Sequence, residues 1–207
     1  MRVLLYLASL LCGMTAFAGG LPAFQDDLAA DRWLRETSPF FRMMAATVDG
    51  RGGYQIRSAV LPFKGNVMME GSHRFIELNK NVTGDERVSI LIFEMTNAYQ
   101  APKHEAIDAD AFSGRIKDAR EFGFWHEMVE LDGLRLHRKV LVELDRAVGG
   151  ISPAMLHWIN PKLNSLQDYE VPLTYEYMQS MDTSGHMQHY RDWFAVESGQ
   201  SKTPVRK

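Results

Sequence analysis

Two polar groupings at helical spacing in the middle of the chain could carry acid–base or metal chemistry. Glu94 and Asn97 are three residues apart, and Glu127, Glu130 and His137 follow one another at intervals of three and seven. Residues with these spacings share one face of an α-helix. A carboxylate held away from water must be hydrogen-bonded, protonated or metal-bound. If the two segments pack together, we expect a buried polar cluster, with Glu94 as its candidate catalytic residue.

Three interpretations of this pattern are open. In the first, Glu127 and Glu130 lie on a solvent-exposed face and pair with Arg120, Arg135 or Lys139. In the second, the cluster is an internal hydrogen-bond network that fixes helix packing. In the third, it binds a metal or performs acid–base chemistry, because neighbouring carboxylates shift one another's pKa values.

The region around Glu94 resembles the core of the zincin metallopeptidases. Residues 74–78 read as a strand, and residues 91–98 read as part of a helix in which Ala98 follows directly after Asn97. That order is similar to the zincin edge strand and the following helix, which carries the motif H-E-x-x-H. The resemblance covers residues 73–130 and implies that Glu94 stands at the position of the family's general base.

The histidine positions of that motif are occupied by residues that do not suit zinc. Phe93 and Asn97 stand there, and phenylalanine has no donor atom while asparagine offers a neutral amide. In one branch of the family a later helix supplies a glutamate ligand, which Glu127 or Glu130 matches. Zinc prefers imidazole, thiolate or carboxylate ligands. The resemblance therefore implies a degenerate, non-catalytic domain with no favoured cofactor, and zinc only as the alternative.

Histidines elsewhere offer weaker metal-binding patterns. His126 and Glu130 are four residues apart, so both could reach one metal, with His137 farther along the same helix. They form the alternative metal pair. His186 and His189 are three residues apart and could also share a metal, although paired histidines near a C-terminus are more often simply solvated.

The first part of the mature chain is predicted to form helices and then strands, which help to position these residues. Residues 24–48 are predicted to be helical and to break at Ser38-Pro39, since proline disfavours helical geometry in the residue before it. Residues 54–60 and 73–79 are predicted strands, the second with Phe75 facing inward and Ile76 or Leu78 as further inward candidates.

Two long central helices are predicted to follow the strands. The first begins at a capping box of Thr83 and Glu86 and stops before Pro102. The second begins near Ser113 and ends at Gly149, and two or three shorter helices follow it. The expected fold class is α+β, mainly helical, with a small sheet and two long central helices. The resemblance adds a zincin-like core.

The N-terminus predicts export. Arg2 precedes an apolar run over residues 3–11 that is too short to span a bilayer, and Ala16-Phe17-Ala18 matches a small-x-small cleavage pattern. We therefore expect a signal peptide over residues 1–18 and a mature chain that begins at Gly19 or Gly20.

Cysteine count and charge narrow the function classes. Cys12 is the only cysteine, so removal of the signal peptide leaves no disulfide, thiolate ligand or cysteine nucleophile. Leu11 before it argues against lipidation, which usually requires a small residue there. The formal charge of −3 becomes −4 without Arg2, which gives no basis for a nucleic-acid partner. We expect one globular domain over residues 19–200 and a flexible tail over 201–207.

The first functional hypothesis is an exported, non-catalytic, zincin-like binding protein of the bacterial cell envelope. It would be periplasmic or secreted, would bind another protein, and would act as an inhibitor or immunity-type protein. The alternative hypothesis is a metal-dependent, peptidase-like hydrolase with a carboxylate-rich site. No transmembrane segment is expected in the mature chain.

Overall fold

A computed structural model describes residues 21–197, which form seven α-helices and a three-stranded sheet. The signal peptide and the C-terminal tail predicted above lie outside these residues. The elements are α1 (Asp27–Thr37), α2 (Pro39–Asp49), β1 (Gln55–Ala59), β2 (Gly65–Glu70), β3 (His73–Asn79), α3 (Gly84–Phe112), α4 (Ala119–Val148), α5 (Ala154–His157), a 3-10 turn (Leu166–Asp168), α6 (Thr174–Ser184) and α7 (His186–Glu197). The predicted α+β class, with a small sheet and two long helices, is confirmed.

The break between α1 and α2 occurs where proline predicts it. The backbone N–H of Ser38 donates to the carbonyl of Leu34 at 2.9 Å and closes α1. The side chain of Ser38 then accepts from the backbone N–H of Phe41 at 3.0 Å, and Pro39 occupies the first turn of α2. One serine therefore ends one helix and caps the next.

The sheet has the strand order β1-β3-β2, with β1 parallel and β2 antiparallel to the central strand β3. Ile76 and Leu78 of β3 are fully buried against the helices. Of the residues predicted to face inward, Ile76 and Leu78 are confirmed, and Phe75 is wrong because alternation places it on the opposite face of the sheet. There the Arg57 guanidinium lies 4.0 Å from the centre of its ring.

Helix α3 begins where predicted, after Thr83, but extends beyond its predicted end. Thr83 is the N-cap residue, although its side chain makes no capping bond, and the Glu86 carboxylate pairs with Lys64. Pro102 does not stop the helix, which continues to Phe112. An internal proline removes only one backbone hydrogen bond, and packing along the rest of a long helix can outweigh that loss.

Helix α4 begins later than predicted. Asp118 caps it by accepting from the backbone N–H of Arg120 at 2.6 Å, so residues 113–118 form a connection between the two long helices. The helix ends as predicted, at a left-handed Gly149 with φ of 74°.

The main hydrophobic core lies between the sheet, α1, α2, α3 and α4. Its fully buried members include Leu34, Met44, Ile76, Ile92 and Leu141. Helix α7 packs on α4, and α6 contacts both. Within residues 21–197, no helix combines the length and apolar character needed to cross a membrane.

Candidate functional site

Glu94 lies on the buried face of α3, beneath the edge strand β2. Glu94 is only 5% exposed, as the apolar sequence around it predicts. Gly65 of β2 approaches it closely: a Cβ built there would lie 2.6 Å from Glu94 Oε1 and 2.7 Å from Ile90 Cγ2. Any larger residue at position 65 would therefore displace the strand or the carboxylate.

Glu127 lies on α4 and is fully buried. Its two carboxylate oxygens have separate partners: Oε2 accepts from the Tyr177 hydroxyl at 3.0 Å, and Oε1 lies 2.7 Å from His186 Nδ1. The solvent-exposed interpretation is therefore wrong for Glu127. Arg135, one of its suggested partners, pairs with Asp132 at 2.5 Å.

Glu130, one turn further along α4, is partly buried and bonds to α7. Its Oε1 accepts from the Tyr190 hydroxyl at 2.9 Å. Burial raises the pKa of Glu130, and the Glu127 charge raises it further, whereas His186 and the Tyr190 bond act in the opposite direction. Helices α6 and α7 thus supply the donors for both acids of α4.

We use the name carboxylate cluster for Glu94, Asn97, Glu127 and Glu130. Burial, reinforced by the nearby Glu130 charge, raises the pKa of Glu94 to about 8, so this side chain is mostly protonated at neutral pH. Asn97 Nδ2 lies 3.5 Å from Glu94 Oε2, at the outer limit for a hydrogen bond. Asn97 Oδ1 is buried without a partner. The cluster therefore contains one neutralised acid and one free buried acceptor.

A glycine lets the two long helices meet at this level. A Cβ built on Gly133 of α4 would lie 3.0 Å from Thr96 Oγ1 and 3.4 Å from Asn97 Oδ1 of α3. Gly133 weakens the helix locally relative to alanine, and in return it brings the backbone of α4 close to the polar side of α3.

His137 was predicted to belong to the cluster, but it forms its hydrogen bond with Ser89. Its Nε2 lies 2.9 Å from Ser89 Oγ, which donates to the Met155 carbonyl at 2.5 Å and accepts from Trp158 Nε1. Because the serine proton is used, His137 Nε2 must donate, which leaves the buried Nδ1 as a bare acceptor. Burial lowers the pKa of His137 to about 3. This histidine is neutral and packs edge-on against Phe93.

His126, suggested with Glu130 as a metal pair, instead joins two residues of α3. Its Nδ1 lies 2.7 Å from His104 Nδ1, and its Nε2 lies 3.2 Å from Asp108 Oδ1. The two imidazole planes differ by 16°, which fits an in-plane hydrogen bond between the rings. Burial, with the His126 charge, lowers the pKa of His104 to about 3. Sequence reasoning assigned no role to His104, although His104 and Asp108 are four residues apart.

Tyr190 of α7 connects the two polar groups. Its ring stacks on His126, with centroids 4.6 Å apart and planes 9° apart, while its hydroxyl reaches Glu130. Burial, followed by the charges of Glu130 and Glu127, raises the pKa of Tyr190 well above its usual value, so its hydroxyl remains a donor.

A zinc site in a protein takes three or four protein ligands. Across residues 21–197, no group of three or more His, Cys, Asp or Glu side chains is arranged to hold a metal. Phe93 packs its ring 5.0 Å from that of Trp158, and His186 is directed at Glu127. The described side chains therefore do not fit a zinc ion.

We expect Gly65→Ala to lower the free energy of unfolding by about 1–3 kcal/mol, because its methyl group would overlap Glu94 and Ile90. Urea denaturation measures the change. Gly50→Ala is the matched control, since its Cβ would meet only backbone carbonyl oxygens, at 3.5 and 3.6 Å. Equal stabilities of the two variants would show that β2 does not press on Glu94.

Comparison of the chain with protein-family models, with curated proteins and with solved structures gives no match, so the chemistry of the site must be inferred from its own geometry.

Proposed function

We propose that the chain is an exported, non-catalytic binding protein of the bacterial cell envelope, built on a zincin-like core and acting on another protein as an inhibitor or immunity-type protein. The carboxylate cluster would be the remnant of a catalytic centre that now fixes the helices. The proposed export is tested by N-terminal sequencing of protein from its host, which should begin at Gly19 or Gly20. A chain that retains Met1 would contradict export.

The order of elements supports the zincin-like core. Strand β3 leads through a turn into α3, an antiparallel edge strand lies against Glu94, and α4 brings Glu127 and Glu130 to the same interface. One detail departs from the resemblance: β3, the strand before the helix, is central, and the edge strand is β2.

One observation carries the non-catalytic proposal: the carboxylate oxygens of Glu127 and Glu130 already accept hydrogen bonds from other side chains of the protein. Both oxygens of Glu127 and one of Glu130 are bonded by Tyr177, His186 and Tyr190. A general base needs its free lone pair within reach of a substrate proton. Acids bonded in this way by residues of two neighbouring helices fit a packing network better than a reaction centre.

Substitutions of Glu94 test this proposal. At neutral pH, Glu94→Gln should change the free energy of unfolding by less than about 1 kcal/mol, because the amide resembles the protonated acid. Glu94→Leu should cost about 1–3 kcal/mol, since it leaves the Asn97 amide without its acceptor. Thermal melts measure both, and a Glu94→Leu protein as stable as the wild type would contradict the network.

The alternative, a metal-dependent hydrolase, is favoured by one observation: a buried acid whose pKa is about 8 is suited to proton transfer near neutral pH. Purification without chelator, followed by metal analysis and cleavage of a peptide mixture, separates the two functions. The binding-protein proposal predicts that the protein contains no stoichiometric zinc and does not cleave peptides through Glu94. Stoichiometric zinc, together with peptide cleavage that is lost in Glu94→Gln, would establish the hydrolase.

A further inference from the structure

A second polar site lies at the opposite end of the sheet from Gly65. An open cavity of about 170 Å³ lies between the loop after α2 and the start of β3. Arg74 and His73 line one side of it, and Asp49, Gly52, Gly53 and Tyr54 line the other. None of these residues belongs to the carboxylate cluster.

Arg74 is the unusual member of this lining. The residue is 8% exposed, and its Nε is buried without a hydrogen-bond partner. Within residues 21–197, no carboxylate pairs with its guanidinium. Burying a charged group without a partner is costly, and a guanidinium offers five N–H donors. Other partly buried arginines are paired: Arg87 with Asp27, and Arg35 with Asp31.

The other charge in the cavity does not satisfy Arg74. Asp49 is held by Arg35, whose Nη1 donates to Asp49 Oδ2 at 2.7 Å. That pair leaves the Arg74 guanidinium as the uncompensated charge of the lining. The cavity therefore presents a positive group to whatever enters it.

We propose that this cavity binds a small carboxylate through Arg74. A planar guanidinium matches a carboxylate with two parallel hydrogen bonds. The volume corresponds to about five or six water molecules, at roughly 30 Å³ each, which suits a ligand of a few heavy atoms. Asp49 at the wall disfavours a dianion, which distinguishes a carboxylate from inorganic phosphate at neutral pH.

Thermal melts with sodium acetate, compared with sodium chloride at equal ionic strength, test the site. Saturating acetate should raise the wild-type midpoint by about 3 °C, and phosphate should raise it less. Arg74→Met should melt at or above the wild type without acetate, because it removes an unpaired buried charge, and should lose the acetate response. Arg120→Met, at an exposed position on α4, is the control and should keep it.

Amide spectra of the wild-type protein provide a measurement that needs no variant. Acetate should shift the backbone resonances of Gly52 and Gly53 in a saturable way, while those of α7 stay unchanged. The proposal is overturned if the wild type shows no response to acetate, if Arg74→Met responds equally, or if phosphate produces the larger shift.

Discussion

The free energy of unfolding should fall as the pH rises from about 6.5 to 8.5. Burial raises the pKa of Glu94 from 4.5 to about 8, so the folded protein holds a proton that the unfolded chain has released. The stability linked to this proton is fully present below pH 4.5 and is lost as the pH rises through 8. The whole span corresponds to about 5 kcal/mol, of which about 2 kcal/mol falls above pH 6.5.

His186 should act in the same direction. Its hydrogen bond to Glu127 raises the pKa of His186, so the contribution of the charged pair is present below the ordinary histidine pKa and is lost above the raised one. His104 and His137 act oppositely at lower pH. Both have a pKa near 3, and the unfolded chain alone protonates them between pH 6.5 and 3. Between pH 4.5 and 6.5 the two histidines outweigh Glu94, so together these groups predict the greatest stability near pH 6.5.

Urea denaturation at half-unit pH intervals measures this profile, and Glu94→Gln is its control. Glutamine cannot ionise, so the variant should lose most of the decline above pH 6.5 and should exceed the wild type in stability at pH 8.5. Parallel profiles for the two proteins would mean that Glu94 does not titrate in the folded state.

Replacing Glu127 by leucine should lower the free energy of unfolding by about 2–4 kcal/mol. Leucine is similar in volume, so packing is largely kept, but the buried Tyr177 hydroxyl and His186 lose their acceptor. An unsatisfied buried donor costs about 1–3 kcal/mol, and loss of the pair with the half-exposed His186 adds about 1 kcal/mol or less.

A double-mutant cycle separates the lost bond from the loss of packing. Tyr177→Phe in the Glu127→Leu background should recover part of the stability, because it removes the unsatisfied hydroxyl. Glu105→Leu, an exposed position on α3, should change stability by less than about 0.5 kcal/mol. Equal effects of Glu105→Leu and Glu127→Leu would show that the Glu127 contacts contribute nothing.

The periodicity of α4 predicted which residues share a face, but not how far that face extends. Glu130 and His137 lie on one stripe, yet seven residues at 1.5 Å each separate them by about 10 Å along the axis. Glu130 therefore meets Tyr190 of α7, whereas His137 meets Ser89 near the start of α3. Helical spacing fixes direction, and only the packing of neighbouring elements fixes the partner.

The partners supplied by α6 and α7 could not be predicted from local pattern. Tyr177, His186 and Tyr190 stand 50 to 60 residues after the acids they bond. Strand β2 was also missed, since Gly65 begins it and a single β-branched residue, Val67, lies within it. The position of β2 depends on pairing with β3, and its contact with Glu94 depends on the absence of a side chain.

The distance in sequence between the acids and their donors has a consequence for the order of folding. Helices α3 and α4 are joined by a short connection and can pair early, since contacts close in sequence form fastest. Until α6 and α7 arrive, Glu127 lacks both of its donors and Glu130 lacks the Tyr190 hydroxyl, so that side of the helical hairpin must stay hydrated. We therefore expect the C-terminal helices to dock last, and their docking to be the step that expels water from the interface.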